Sequence, residues 1–215
     1  VREGMPPQTR AEATGYRETS LHRHVMEFLA AVDKRHLALS SFGTSPGGRD
    51  MPLVVMSAHG VKTPAEARKA GLPVVLVING IHAGEVEGKE ASMMLMRDLQ
   101  QSGSDLLAQM TLVIVPLFNP DGNDAIDPAN RKLNLPKLEG QIGPELVGTR
   151  VNAKGINLNL DYMRQASEEM RALQSRVAQV WQPDLTIDTH ATNGSVHRMQ
   201  MTYDVPHTIA SGRAE

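Results

Sequence analysis

The sequence predicts an α/β fold with a mixed, mostly parallel sheet that carries helices on both faces. Short apolar runs rich in β-branched residues are bounded by turn formers, which is typical of buried strands. Stretches with apolar residues at helical spacing lie between these runs, and connections of that length allow crossovers between parallel strands. The chain has 215 residues, of which 40% are hydrophobic and 21% charged, as expected for one soluble globular domain.

The first half of the chain supplies an arm, two helices and two strands. Residues 1–18 mix Gly, Pro and charge without periodicity, and we expect them to form a loose N-terminal arm to a domain over residues 19–215. A helix is predicted from Thr19 or Ser20, either of which can cap it, to about Leu39. A turn-rich link, a strand, a short helix and a second strand follow over residues 41–50, 51–56, 63–71 and 73–79.

In the second half of the chain, predicted helices and strands again alternate, and one long loop interrupts them. A helix, a shorter helix and a buried strand are predicted over residues 87–101, 105–110 and 111–117. Asn119-Pro120-Asp121-Gly122 is a turn signal, and residues 122–156 carry no periodicity. A helix from Met163 to Pro183, a strand over residues 185–189 and a weakly alternating strand over residues 198–203 complete the prediction.

Composition excludes several classes of function. A net charge of −2 gives no basic surface for nucleic acid. No apolar stretch approaches the roughly 18 residues that a membrane span requires. The chain has no cysteine, so a metal site would have to use His, Asp and Glu. A secreted or periplasmic location is favoured over the cytoplasm, and the oligomeric state stays open.

An imidazole and a carboxylate stand at the end of the second predicted strand. His82 and Glu85 follow the apolar run in a glycine-containing loop, where open α/β sheets place their ligands. The same H-x-x-E pattern occurs at His24 and Glu27, but inside an amphipathic helix, where polar residues normally face water. The position of the pattern, more than the pattern itself, makes His82 and Glu85 the candidate metal ligands.

A third candidate ligand follows a different strand. His190 stands at the end of the predicted strand 185–189, and it would meet His82 and Glu85 if the two strands were parallel neighbours. Two histidines, a glutamate and a water form a known catalytic zinc shell. Arg150 could stabilise the oxyanion of an attacked carbonyl, although a loop arginine is more often solvated or structural. Asp121 could be a ligand, but an aspartate in Pro-Asp-Gly is more often the turn-maker.

These residues carry a resemblance to a known family. The segments His82–Glu85, Asn119–Gly122, Gly148–Arg150, Gly155–Asn159 and Asp188–His190 occur in this order after Phe42–Arg49. In that order they resemble the zinc metallocarboxypeptidases (carboxypeptidase A/B-like), over residues 42 to 204. The resemblance implies one zinc ion bound by His82, Glu85 and His190. It also implies that Arg150 polarises the scissile carbonyl and that Asn159 helps to hold the terminal carboxylate of a peptide substrate.

Three departures from the family pattern bear on function. Leu160 stands where the family has an arginine that pairs with the substrate carboxylate, and Arg131 and Arg164 are the nearby cations that could compensate. Asn157 stands where digestive members have an aspartate that orients the first zinc histidine, so the metal would be held less tightly. Only 25 residues follow His190, and the acids among them lie outside the context of the family's catalytic glutamate. The chain is therefore expected to be the N-terminal portion of a longer catalytic domain.

Three functions remain open at this stage. The first is a zinc-dependent carboxypeptidase that cleaves C-terminal peptide bonds with metal-activated water. The second is a zinc amide hydrolase that deacylates small amino-acid derivatives, in the manner of aspartoacylase-like relatives; Leu160 favours it. The third is a non-catalytic module that holds metal or peptide on the same scaffold.

Overall fold

One five-stranded mixed sheet organises the fold. The computed structural model describes residues 6–101, 105–137, 140–191, 199 and 201–205. The strands are β1 (Leu37–Thr44), β2 (Asp50–Met56), β3 (Val74–Ile78), β4 (Thr111–Val115) and β5 (Leu185–Asp188). They lie in the order β1-β2-β4-β3-β5. The predicted α/β class is confirmed, and all four predicted strands that lie wholly within the described residues are present.

The two halves of the sheet differ in strand direction. β3 lies between β4 and β5 and runs parallel to both, with Ile78 opposite Val115 on one side and Asp188 on the other. β1 pairs with β2, and β2 with β4, in antiparallel fashion. Because parallel neighbours end at the same edge, the loops that follow β3 and β5 start side by side.

The first strand corrects the prediction of a long first helix. That helix ends at Ala31, where Val32 already has an extended backbone, and Leu37–Thr44 is a strand. Only Leu37 and Phe42 are buried in β1, because this strand lies at an end of the five-stranded sheet. Its exposed serines gave no apolar alternation by which the sequence could indicate a strand. The predicted link therefore shrinks to a turn between Thr44 and Asp50.

Helices cover both faces of the sheet, as predicted. They are α1 (Arg10–Ala13), α2 (His22–Ala31), α3 (Pro64–Ala70), α4 (Glu87–Gln101), α5 (Leu106–Gln109), α6 (Pro120–Asp124), α7 (Glu168–Ala172) and α8 (Gln179–Trp181), with a π-helical segment, Leu173–Ala178, joining the last two. α2 and α4 pack on one face, whereas α3 and the α7–α8 run pack on the other. The predicted bounds of α4 are confirmed, but the Asn-Pro-Asp-Gly turn is the start of α6.

The strand pleat divides the interior into two cores. Leu53 and Val55 of β2 face the α7–α8 side, and Val54 and Met56 face α2 and α4. Successive side chains of a strand point to opposite faces, so a strand buried on both faces reads as an unbroken apolar run. Each fully buried residue of this size contributes about 1.5–3 kcal/mol to the hydrophobic term. This double burial is what made β2 recognisable from the sequence.

The N-terminal segment packs on the domain and is not loose where it is described. Thr9 caps α1, and the Arg97 guanidinium of α4 donates to both Glu12 oxygens at 2.9 and 2.8 Å. The Ser20 hydroxyl also accepts from the backbone N–H of Arg10. The expectation of a loose arm is therefore wrong for this part, while the division of the chain at residue 19 stays a prediction.

The last predicted elements are shorter than expected. The helix predicted from Met163 begins at Glu168, because the Asp161 carboxylate accepts from the N–H groups of Ala166 and Ser167 and holds that stretch in a turn. Residues 199 and 201–203 form no strand, and residues 198 and 200 lie outside the described part. None of the helices in the described ranges has the length and hydropathy to cross a bilayer.

Candidate metal centre

The candidate metal centre lies where the loops after β3 and β5 meet. Thr189 donates its hydroxyl hydrogen to Asn79 Oδ1 at 2.8 Å, which ties the two loops together. Gly88, in the first turn of α4, lies so close to Thr189 that an added Cβ would stand 2.0 Å from the Thr189 Oγ1. This close approach brings the start of α4, and the loop before it, against the end of β5.

His82 is buried and meets an acceptor at each ring nitrogen. Its side chain is 2% exposed, and its Nε2 lies 3.0 Å from Asn157 Oδ1. The same Asn157 oxygen accepts from the backbone N–H of Asn159, which identifies it as an acceptor. A neutral ring can donate to only one of its two acceptors, to Asn157 from Nε2 or to Glu85 from Nδ1. Nδ1 lies 3.1 Å from Glu85 Oε1.

His190 stands beside His82 at the end of β5. The two ring centroids are 4.7 Å apart and the rings are nearly perpendicular. His190 Nδ1 lies 2.6 Å from Asp188 Oδ1 and donates to it, which leaves the lone pair of the neutral ring on Nε2. The hydrogen bond to Asp188 raises the pKa of His190, and burial opposes this effect.

Glu85 supplies a buried carboxylate beside the His82 ring. Its side chain is 3% exposed. Burial would raise the pKa of Glu85, but the hydrogen bonds of His82 and the Ala191 N–H, with the charge of Arg131, hold it below its ordinary value. The Ala191 N–H donates to Oε2 at 2.8 Å, and an Arg131 Nη lies 2.9 Å from Oε1.

The three side chains fit a metal ion. One donor atom from each of His82, Glu85 and His190 lies within 4.8 Å of the others, and this is the single such group within the described ranges. Both ring nitrogens of His82 face oxygen acceptors, so a neutral ring turns its lone pair toward one of them unless a proton or a metal cation intervenes. Two imidazoles and a carboxylate are donors that zinc accepts. Asn157 and Asp188 orient the rings as outer partners of metal-binding histidines do.

The other predicted site residues lie around this group. Arg150 is 41% exposed on its side chain, and its Nη1 stands 3.9 Å from Glu85 Oε1. Asn159 and Leu160 are exposed in the 3-10 turn Leu158–Leu160, and Leu160 is 70% exposed. Asn157 caps this turn, so the turn is linked to His82 through one side chain.

Two alternatives from the sequence prove structural. The Asp121 carboxylate accepts from the Ser45 hydroxyl, the Gly47 N–H and the Arg49 guanidinium, so it joins the segment 42–49 to α6. His24 Nδ1 accepts the backbone N–H of Leu21 at the start of α2. Neither belongs to the metal group.

The sequence reasoning missed the part that Arg131 plays. The sequence offers this arginine only as a substitute for the missing cation at Leu160. Its side chain is 7% exposed and pairs with Glu85 instead. No local pattern indicates this contact, because an irregular loop carries Arg131 back to the metal group.

Comparison with known proteins identifies the family. Residues 22–194 match the family model described as zinc carboxypeptidase. The chain belongs to the zinc carboxypeptidase family. The family resemblance seen in the sequence is thus confirmed over most of the chain.

Solved structures of zinc carboxypeptidase fold support the same architecture. A metallo-carboxypeptidase from Burkholderia cenocepacia aligns with a TM-score of 0.59 and 23% identity, over 80% of this chain and 41% of that one. A Burkholderia mallei structure aligns with a TM-score of 0.58 and 24% identity, over 80% and 40% of the two chains. Bovine thrombin-activatable fibrinolysis inhibitor, solved with a tick carboxypeptidase inhibitor, gives 0.53 and 15%, over 82% and 62%. The chain thus spans about two fifths of the Burkholderia chains.

Proposed function

We propose that this chain carries the zinc-binding part of a metallocarboxypeptidase that hydrolyses C-terminal peptide bonds. The observation that carries the proposal is the meeting of His82, Glu85 and His190 at the carboxyl edge of the sheet, in a zinc carboxypeptidase fold. These three residues would hold one zinc ion. Such an ion would polarise a substrate carbonyl and activate a water molecule for attack.

The residues around the ligands would prepare the site for that chemistry. With the metal bound, Asn157 and Asp188 would each accept a hydrogen bond from one ring, so that each neutral imidazole keeps one nitrogen lone pair for the metal. Arg150, partly exposed and 3.9 Å from Glu85, carries a positive charge where an oxyanion would form. Asn159 would contact the end of the substrate from the exposed turn.

The proposal leaves the general base outside the described residues. Glu85 and Asp188 are the acids that line the small pocket at the metal group, and each lies within hydrogen-bond distance of a histidine. A carboxylate that fixes a metal ligand is poorly suited to accept a proton in turnover, because accepting it would release the ligand.

Leu160 and Arg131 limit which residues could bind the carboxylate of a substrate. Arg131 is committed to Glu85 and Leu160 has no charge, so neither supplies an exposed cation for a substrate carboxylate. In the proposed carboxypeptidase, Asn159 would bind that carboxylate with Arg164, which is exposed just after the turn, and Arg150 would contact the scissile carbonyl.

The test compares two matched peptides with the zinc-loaded full-length enzyme, of which this chain would carry the zinc-binding part. One has a free C-terminal carboxylate and the other is amidated, and release of the last residue is followed by mass spectrometry. A carboxypeptidase releases the last residue from the first peptide only. Equal cleavage of both, or cleavage of an N-acyl amino acid in preference to either, would indicate an amide hydrolase. Stoichiometric zinc without turnover would indicate a binding module.

A further inference from the structure

An arginine lies in direct contact with the candidate metal-binding carboxylate. An Arg131 Nη is 2.9 Å from Glu85 Oε1, the same oxygen that lies 3.1 Å from His82 Nδ1. Both side chains are buried, at 7% and 3% exposure. A charge-assisted hydrogen bond between buried partners fixes geometry more firmly than a contact that water can replace.

The segment that carries Arg131 contacts the loop from His82 to Glu85, here called the metal loop, at a second point. We name residues 131–137 and 140–141 the strap. The Gln141 side-chain amide donates to the Gly84 carbonyl at 2.8 Å, and the Gln141 backbone N–H donates to the Arg131 carbonyl at 2.9 Å. The strap therefore holds the loop from His82 to Glu85 by a hydrogen bond from the Gln141 side chain and by the Arg131–Glu85 ion pair.

The metal loop is shaped to admit the arginine. An added Cβ at Gly84 would lie 2.6 Å from the Arg131 Cγ and 2.5 Å from the Gly148 carbonyl oxygen. The aliphatic part of Arg131 thus passes over the backbone of Gly84, where any side chain would block it. Arg131 itself has a φ of +54°, a conformation that residues other than glycine rarely adopt.

Within the described ranges, the other directional contacts of the Glu85 carboxylate are those with His82 and the Ala191 N–H. The Ala191 N–H holds Oε2, whereas Oε1 is the oxygen that faces the His82 ring. A rotation about the last side-chain bond would exchange the two oxygens or turn both away from the rings. A planar guanidinium beside Oε1 resists this rotation, and a flexible ammonium would do so less well.

From these contacts we infer that Arg131 is a positioning residue, which fixes the Glu85 carboxylate in the orientation that the metal requires. The inference rests on the metal centre proposed above. It assigns Arg131 to the metal rather than to the substrate.

The experiment measures zinc affinity by competition with a chromophoric chelator. The variants are Arg131→Met, which keeps the aliphatic length without charge, and Arg131→Lys, which keeps the charge without the planar fork. Arg35→Met is the matched control, since Arg35 is exposed and pairs only loosely with Asp33. Loss of an outer partner typically weakens metal binding by about 10–100-fold. We expect a loss of this size for Arg131→Met, a smaller loss for Arg131→Lys and no change for Arg35→Met.

A second readout separates positioning from simple stabilisation. Cobalt(II) substituted for zinc reports ligand geometry through its visible absorption, and we expect Arg131→Met and Arg131→Lys to change this spectrum. Zinc affinity and cobalt spectrum equal to wild type in both variants would overturn the inference, as would tighter zinc binding by Arg131→Met. If Arg131→Met does not fold, the lysine variant alone decides by the same criteria. A wild-type protein that takes up no zinc would overturn the metal centre and this inference together.

Discussion

The chain contains the pattern H-x-x-E twice, and the two copies have opposite surroundings. His82 faces acceptors at both ring nitrogens, the amide oxygen of Asn157 and the carboxylate of Glu85. His24 faces donors at both, the backbone N–H of Leu21 and the Nε of Arg23. A ring between two acceptors gains from a cation, whereas the His24 ring already uses the one lone pair of its neutral form, on Nδ1, to accept from the Leu21 N–H. The same four-residue pattern therefore belongs to a candidate metal group in one place and to a helix start in the other.

The largest expected difference between the two copies is in zinc uptake. His82→Ala removes one of three ligands, and we expect it to abolish stoichiometric zinc binding, as measured by metal analysis after gel filtration. His24→Ala should bind one zinc ion like the wild type, because His24 lies outside the metal group. Equal zinc uptake by the two variants would remove the assignment of the metal centre.

How much of this difference could be predicted from the sequence depends on the range of the contacts. The position of His82, at the end of an apolar strand and before a helix, depends on local sequence and was predicted. Its approach to His190 was also predicted, and it follows from β3 and β5 being parallel neighbours. The contacts of Arg131 with Glu85 and of Asp121 with Ser45 cross irregular segments, where no periodicity constrains the path of the chain. β1 was missed for a related reason, since an edge strand with exposed serines lacks the apolar signal.

The second prediction concerns the packing of α4 against the end of β5, which brings the loop with His82 and Glu85 next to β5. Gly88→Ala would place a methyl group 2.0 Å from the Thr189 Oγ1, so α4 and the end of β5 must move apart. We expect a loss of about 1–3 kcal/mol in the free energy of unfolding, as is typical of overpacking, together with weaker zinc binding. Urea denaturation measures the first effect and chelator competition the second.

Gly143→Ala is the matched control for this substitution. An added Cβ there meets nothing nearer than the Gln141 Nε2 at 3.4 Å, which is an ordinary contact. The control should therefore keep the wild-type stability and zinc affinity. If Gly88→Ala behaved like Gly143→Ala, the close approach of α4 to β5 would not be what brings the ligands together.

The third prediction tests the acceptor that orients His82. Asn157→Ala leaves Nε2 without its partner, and we expect zinc affinity to fall by about 10–100-fold. Asn157→Asp keeps the acceptor and adds negative charge, so it should bind zinc at least as tightly as the wild type. Measured by the same chelator competition, a wild-type affinity in Asn157→Ala would show that the amide does not orient the ring.

The smallest expected effect is a pH dependence of the unfolding free energy that arises from His24, in the second copy of the pattern. Burial, reinforced by the charge of Arg23, lowers the pKa of His24 in the folded protein. The unfolded chain therefore binds more protons than the folded chain near and below pH ~6.5, so the contribution of His24 to stability is present above that pH and is lost as the pH falls. Loss of a helix-terminal hydrogen bond of this kind costs about 0.5–1 kcal/mol. We expect the difference in unfolding free energy between the wild type and His24→Ala, measured in urea with chelator present, to grow from pH ~5 to pH ~7. A difference that shrank over this range would mean that the ring carries its proton in the fold, among acceptors, and the contrast with His82 would be lost.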